Sequence, residues 1–166
     1  MNGVKTTDLW YQAVAKGIGT RAEAADVMMA MAEQIRKQNT RLFQDSVKVC
    51  KNFENVGFVN CILKGQGNAF LYPDPYMRTP GDIDIYLEGG RKRVMLYINK
   101  VCPNQVVRYH HVDFPVMKTA IEVHFTPSYM FCPIHNRRIQ KWFKEVMGEQ
   151  CAHRVEAASG LLLCID

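Results

Sequence analysis

The sequence lacks any run of eighteen apolar residues, so it predicts no membrane-spanning helix. Its beginning lacks the apolar stretch of a signal peptide, because Asp8 and Lys16 interrupt it. The six cysteines are scattered and several lie within apolar runs, which is not the pattern of a disulfide framework. We therefore expect reduced cysteines in a cytoplasmic protein. Internal repeats and low-complexity tracts are also absent, which leaves an ordinary globular chain.

Neither positive nor negative residues strongly outnumber the other. Twenty-one Lys and Arg against sixteen Asp and Glu give a net charge of +5. That excess suits an anionic substrate, but it is too small to indicate a nucleic-acid binder without a basic stripe and interleaved aromatic residues. With 166 residues, 48% of them apolar, the chain is long enough for one domain with a real core.

What the sequence does contain is a pair of aspartates in an apolar, β-branched segment at residues 81–87. Because side chains alternate along a strand, Asp82 and Asp84 are predicted to project from one face, and a divalent cation commonly compensates such a pair. Upstream, Gly65 and Gly67 follow an apolar strand and indicate a turn that can receive a phosphate. Either pattern alone is typical of exposed turns; their order indicates metal-dependent chemistry on a nucleotide.

A third carboxylate is predicted at Glu122, because residues 120–125 are apolar except for Glu122 and His124, which share a strand face. A charged Glu in such a run is costly to bury unless it is paired or bound to a cation. An edge strand facing water is the alternative, and Asp113 is the second candidate for this carboxylate. For His124 we weigh a supporting or substrate-binding role against a structural one, and we interpret residues 109–111 as ordinary strand.

The fold class that these patterns favour is α+β: a small mixed β-sheet with helices on one side, preceded by an N-terminal helical segment. The sequence predicts helices at 6–16, 20–53, 91–100 and 137–147 with a short one from 67 or 68, and strands at 58–63, 83–87, 105–114 and 119–125. We expect three parts: residues 1–55 packed on the core, an α/β core at 56–127, and a C-terminal helical segment at 128–166. The apolar run that ends the chain is expected to be buried or continued in a longer protein.

Four motifs in order carry a resemblance to a known family: Leu63-Lys64-Gly65, Tyr72-Pro73-Asp74-Pro75, Arg78, and Gly81-Asp82-Ile83-Asp84. Over residues 58–125 the chain resembles the DNA polymerase beta-type nucleotidyltransferases, in particular a bacterial branch of uncharacterised nucleotidyltransferases. It is also similar to abortive-infection nucleotidyltransferase toxins. The resemblance implies transfer of a nucleoside monophosphate from ATP or another nucleoside triphosphate to a hydroxyl acceptor of unknown identity, a small molecule or a macromolecule.

The resemblance also implies site residues. Those expected to be catalytic and to bind two Mg²⁺ ions, with Mn²⁺ as a substitute, are Asp82, Asp84 and Glu122. Those expected to bind the nucleotide phosphates are Lys64, Gly65, Gln66, Gly67 and Arg78. In two respects the chain departs from the family pattern. Gln66 stands where a small or hydroxyl residue is usual, and its longer side chain is expected to affect the phosphate turn. The gap from Gly65 to Asp82 is also longer than the family's usual spacing.

Two other functions compete with this interpretation. The first is a catalytically inactive relative that acts as a binding or antitoxin subunit, which the Gln66 departure favours. The second is a zinc-binding module, whose ligands would be Cys132, His135, Cys151 and His153.

Overall fold

A long helix opens the described part of the chain, which a computed structural model gives as residues 21–152, 154–157 and 161–164. Helix α1 spans Arg21–Asn55 and confirms the helix predicted at 20–53. It ends where Gly57 adopts a φ of +83° and donates its N–H to Glu54 O at 2.9 Å. Glycine takes this left-handed conformation without steric cost, so it closes the helix. The helix predicted at 6–16 lies outside the described residues.

The central feature is a four-stranded mixed sheet. Its strands are β1 (Asn60–Leu63), β2 (Ile83–Leu87), β3 (His111–Asp113) and β4 (Ile121–His124), in the spatial order β1-β2-β4-β3. Strands β2 and β4 are parallel, and the two outer pairs are antiparallel. The sheet, its helices and the long N-terminal helix confirm the predicted α+β fold.

The apolar core lies on one face of this sheet. Ile83, Ile85 and Leu87 alternate along β2 and pack, fully buried, with residues of α1 and of helix α3 (Gly90–Val101). The intervening Asp84 and Tyr86 must therefore face the other way. Part of that second face is covered by helix α4 (Pro133–Gln150), whose C-terminal end packs on Cys61 and Leu63 of β1.

Between β1 and β2 the chain forms a five-residue helix α2 (Gly65–Ala69) and a 3₁₀ turn (Pro75–Met77). The turn predicted at Tyr72-Pro73-Asp74-Pro75 is confirmed: Asp74 Oδ1 accepts the N–H of Tyr76 at 3.0 Å and caps the 3₁₀ segment. Helix α2 begins at Gly65, two or three residues earlier than predicted. The change of direction is already made at Lys64 and Gly65, which both have positive φ.

The strand predicted at 105–114 was wrong in extent. Only His111–Asp113 forms β3, because the segment turns back on itself, with Val107 bridged to Val112 and Arg108 N bonded to His111 O at 2.9 Å. The helical segment predicted at 128–166 also needs a correction. After α4 the chain forms an antiparallel pair, β5 (Arg154–Ala157) and β6 (Leu161–Cys164). The division at residues 55 and 127 stays a prediction.

In the described ranges, no helix combines the length and apolar character needed to cross a membrane.

Candidate functional site

The site is built on the parallel pairing of β2 and β4, which sets Asp84 directly opposite Glu122. Adjacent strands lie about 4.8 Å apart, so the backbone itself holds these two carboxylates together. Ile83 and Ile85 lie in the core, which turns Asp84 to the opposite face. The Asp84 side chain is only 8% exposed, whereas the Glu122 side chain keeps 28% of its surface open. One carboxylate is thus enclosed and its partner is reachable from solvent.

His124 links the two carboxylates. Its Nε2 lies 2.8 Å from Asp84 Oδ1 and 3.6 Å from Glu122 Oε2. Lys64 reaches the same Asp84 oxygen with its Nζ at 3.3 Å. Burial raises the pKa of the Asp84 carboxyl, but the hydrogen bond from His124 and the charge of Lys64 outweigh it, so the net pKa lies below its usual value. Asp84 is therefore a carboxylate at neutral pH, and the predicted proximity of His124 to the site is observed.

Two further histidines lie at this site, and the sequence interpretation missed their role. His111 stands opposite His124 in the β3–β4 pair, and its Nδ1 lies 3.4 Å from Glu122 Oε2. His110 Nε2 lies 3.1 Å from that same His111 Nδ1. The alternation of side chains along a strand does place His111 and Asp113 on one face of β3. That alternation could not show that β4, which carries Glu122 and His124, would pair with β3.

Burial decides the charge of these two rings. It lowers the pKa of His110 to about 4, with neighbouring His124 and His111 adding to the effect. Burial also lowers the pKa of His111, although the Glu122 carboxylate opposes the shift. Both rings are therefore neutral at pH 7. The second ring nitrogens, His110 Nδ1, His111 Nε2 and His124 Nδ1, are buried and have no hydrogen-bond partner among the described residues.

The candidate carboxylates occupy different places. Asp84, Glu122 and His124 bring potential ligand atoms within 4.8 Å of one another, and so do His111, Asp113 and Glu122. Asp113, the second candidate for the third carboxylate, is paired with Glu122 across β3 and β4. Asp82 precedes β2, is half-buried, and stands outside these close groups. Its role as a metal ligand stays a prediction.

A cavity of about 290 Å³ opens beside Lys64. Its lining includes Gly65 and Arg78 and thus three of the five residues predicted to bind the nucleotide. The Arg78 Nη1 atom is buried and has no hydrogen-bond partner in the part of the chain that the structure describes. A guanidinium with free donors at a cavity wall suits an anionic ligand.

The two remaining nucleotide-binding candidates are buried. Gln66 and Gly67 lie in the first turn of α2, and the Gln66 side chain has no exposed surface. At Gly65 the φ is +33°, and a Cβ there would meet the Asp82 carbonyl oxygen at 3.5 Å. The turn therefore brings the α2 backbone close to the segment that carries Asp82, in a conformation that favours glycine.

Asn39 of α1 fixes the loop that carries Arg78. Its fully buried amide Nδ2 lies 2.8 Å from Tyr76 O and 2.6 Å from Arg78 O. The nearby Arg36–Asp74 ion pair, at 2.6 Å, joins the same helix to the same loop. The position of Arg78 is thus set by α1, far from it in sequence.

Replacing Asn39 with Ala is expected to cost about 1–3 kcal/mol, because two part-buried carbonyl oxygens lose the donor that a fully buried side chain supplies. For a chain of this size that loss corresponds to a melting temperature lower by roughly 2–12 °C. Thermal unfolding of N39A measures it, with the exposed neighbour variant Gln34→Ala as the control. Equal melting temperatures for the two variants would contradict the role assigned to Asn39.

The positions of Cys132 and Cys151 exclude the predicted zinc-binding module. Cys132 and Cys151 cap opposite ends of the 18-residue helix α4. A helix of that length separates its ends by roughly 27 Å, so the two thiols cannot bind one ion. His135 lies on the same helix near Cys132, and His153 lies outside the described residues.

Paired carboxylates on adjacent strands of a small mixed sheet, beside a glycine turn and a cavity with cationic walls, are features of the nucleotidyltransferase class. Over residues 9–165 the chain matches the model of a family described as uncharacterised nucleotidyltransferases, and it belongs to that family. The resemblance noted in the sequence is thereby confirmed. Comparisons with curated proteins and with solved structures find no match.

Proposed function

We propose that the protein is a Mg²⁺-dependent nucleotidyltransferase that moves a nucleoside monophosphate from a nucleoside triphosphate to a hydroxyl acceptor. The family supports nucleotidyl transfer in general. The observation that carries the finer statement is the β2–β4 register, which sets Asp84 opposite Glu122 next to the cavity lined by Lys64 and Arg78.

The donor set fits a divalent cation. Asp84 is an enclosed carboxylate, Glu122 faces it, and Asp82 lies two residues before Asp84. Mg²⁺ prefers such oxygen ligands and is usually bound by one or two carboxylates together with substrate phosphates. Asp82, Asp84 and Glu122 would hold it, and when bound it would stabilise the negative charge that develops on the phosphate oxygens.

The triphosphate is assigned to the cavity beside α2. Arg78 lines this cavity and its buried Nη1 has no hydrogen-bond partner among the described residues, while Lys64 lines it as well and reaches Asp84 with its ammonium group. The first N–H groups of a helix lack intrahelical partners, so Gly65, Gln66 and Gly67 offer further donors to a phosphate. Burial of the Gln66 side chain supports this assignment, because it keeps that side chain out of the cavity lining.

The acceptor is assigned to the open side of Glu122. This carboxylate is the more exposed of the pair, so an acceptor hydroxyl can reach it from solvent. There Glu122 would orient the hydroxyl and take its proton as general base while the oxygen attacks the α-phosphate and pyrophosphate leaves. Asp84 is enclosed and hydrogen-bonded to His124, which suits a fixed ligand better than a proton acceptor.

ATP or another nucleoside triphosphate is expected to raise the melting temperature only when Mg²⁺ is present. At a concentration of 100 times the dissociation constant, the stabilisation is about 2.7 kcal/mol, or roughly 5–11 °C for a chain of this size. Thermal unfolding with nucleotide alone, Mg²⁺ alone and both together measures it. The double variant Asp82→Ala plus Asp84→Ala is expected to lose the response.

The outcomes separate the competing functions. A double variant that still responds would show that the ion and the nucleotide are bound elsewhere. A wild-type protein that responds to none of the common nucleoside triphosphates would favour the inactive binding or antitoxin subunit.

A further inference from the structure

A row of aromatic rings runs from the site to the protein surface. The ring centroids of His124 and His110 lie 5.0 Å apart, and those of His110 and Tyr129 lie 4.9 Å apart. Tyr129 in turn lies 5.2 Å from Phe131 and 4.7 Å from Tyr109. His124 is fully buried, whereas Phe131 is 91% exposed and Tyr109 57%. The row therefore ends on an open surface, the aromatic patch, which consists of Tyr109, Tyr129 and Phe131.

Hydrogen bonds hold the aromatic patch in place although much of it is exposed. Asn136, near the start of α4, donates from Nδ2 to the Tyr109 hydroxyl at 2.9 Å and accepts the Met130 N–H at 3.0 Å. One turn later, Gln140 donates to Ser128 O at 2.9 Å. The two segments that carry the rings are thus fastened to one helix. A surface that is already ordered loses little conformational entropy when a ligand binds.

Helix α4 adds positive charge beside the patch. Residues 125–144 include four Lys or Arg and no Asp or Glu. Arg137 and Arg138 are exposed and form no ion pair with any described residue. The Lys141 side chain is 81% exposed and has a single weak contact, 3.8 Å to Glu145. Arg137, Arg138 and Lys141 form what we call the basic face.

Aromatic rings beside free cations are typical of surfaces that bind single-stranded nucleic acid. Bases stack on such rings with little regard to sequence, while the phosphates lie against Lys and Arg. Trp142, 54% exposed, brings another ring next to Arg138 in the lining of a cavity of about 380 Å³. The net charge of the whole sequence is too small to indicate this. The fold produces the combination locally, by joining Tyr109 to the start of α4.

The patch is continuous with the open side of Glu122. Glu122 Oε2 lies 3.4 Å from His111 Nδ1, which lies 3.1 Å from His110 Nε2, and the His110 ring contacts Tyr129. A strand stacked on the patch can therefore place its end at the carboxylate assigned to the acceptor. An acidic protein could contact the basic face, but it offers neither a series of planar groups nor a terminal sugar hydroxyl.

We propose that the aromatic patch and the basic face bind the single-stranded 3′ end of a nucleic acid, whose terminal hydroxyl is the acceptor at Glu122. That hydroxyl gives its proton to Glu122, its oxygen forms a bond to the α-phosphorus of the nucleoside triphosphate, and the bond from that phosphorus to the pyrophosphate breaks. The strand becomes one nucleotide longer. The acceptor role rests on the proposed function; the binding of the strand does not, because it can be measured without nucleotide.

The first measurement is the fluorescence anisotropy of a 5′-labelled single strand of about twelve nucleotides, as RNA and as DNA, titrated with the full chain. Phe131→Ala is expected to weaken binding by at least about fivefold, the lower limit for the loss of one stacked base. Leu96→Ala removes an equally apolar, 68% exposed side chain from α3 and is the matched control. Whichever of the two strands binds more tightly identifies the sugar of the ligand.

The second measurement is the salt dependence of that binding. With three phosphate contacts on the basic face, affinity is expected to fall by roughly 20-fold between about 50 and 200 mM salt. Arg137→Ala plus Arg138→Ala is expected to reduce this fall to roughly threefold. Lys92→Ala plus Lys100→Ala, which removes two exposed charges from α3, should keep the wild-type dependence.

Three results would overturn the binding surface: equal affinity for the strand and for its blunt duplex, equal affinity of F131A and L96A, or equally tight binding of poly-glutamate. With Mg²⁺ and nucleoside triphosphates the wild type is expected to lengthen the strand, and a 3′-phosphate on the strand is expected to prevent it. A protein that binds the strand and responds to the Mg²⁺–nucleotide complex but never lengthens the strand would overturn the acceptor role. A protein that binds the strand without any Mg²⁺-dependent nucleotide response would retain this surface and lose the proposed function.

Discussion

Replacing Asp84 with Asn is expected to weaken Mg²⁺-dependent nucleotide binding by at least about a hundredfold, equivalent to about 2.7 kcal/mol. The variant keeps the shape of the side chain and removes the charge that a divalent cation requires, an interaction worth several kcal/mol. Calorimetric titration of the Mg²⁺–nucleotide complex measures the loss.

The same variant is expected to keep its stability when no divalent ion is present. An amide can still accept the hydrogen bonds of Lys64 and His124, and the cost of burying a charge disappears, so we expect the free energy of unfolding to change by no more than about 1 kcal/mol. Asp26→Asn, on the exposed side of α1, is the control and should leave both quantities unchanged. A D84N protein that binds the Mg²⁺–nucleotide complex normally would exclude Asp84 as a ligand.

Replacing Phe53 with Ala is expected to destabilise the fold by about 3–5 kcal/mol. Phe53 is 1% exposed, and its ring contacts three others, Phe58, Tyr97 and Phe114, at centroid distances of 6.2, 5.9 and 5.4 Å. These rings join α1 to the segment before β1, to α3 and to the segment after β3, so the cavity would open where four parts of the chain meet.

Thermal unfolding is expected to show a melting temperature lower by roughly 6–20 °C for F53A. The matched control is Phe131→Ala. That ring is 91% exposed, so its removal should change the free energy of unfolding by no more than about 0.5 kcal/mol. Similar losses for the two variants would contradict the position of the core.

The local parts of the fold could be predicted from the sequence because their signals are local. Strand β2 was predicted with its observed limits, since Ile83, Ile85 and Leu87 alternate with polar positions. The same alternation around Glu122 predicted β4. The prediction of a strand over the segment before β3 was wrong because the chain turns there. That turn depends on a single Val107–Val112 bridge, which no periodicity in the sequence indicates.

The site likewise contains residues that could be identified from the sequence and contacts that could not. Asp84 and Glu122 could be selected from sequence, because a carboxylate in an apolar strand needs a partner. That His111 faces Glu122 could not, because it depends on the antiparallel register of two strands separated by a loop. The burial of Gln66 was equally hidden: the residue type suggested an obstacle in the phosphate turn, and only the packing shows that its side chain turns inward.

The pairing of β2 with β4 also determines when the site comes into existence. Helix α3 and strand β3 lie between these strands in the chain, so the two carboxylates meet only after that whole stretch has folded back. Such long-range pairing is slow compared with helix formation. During synthesis a chain that ends before β4 has Asp84 but no partner for it. The proposed metal site would therefore be complete only in the finished sheet.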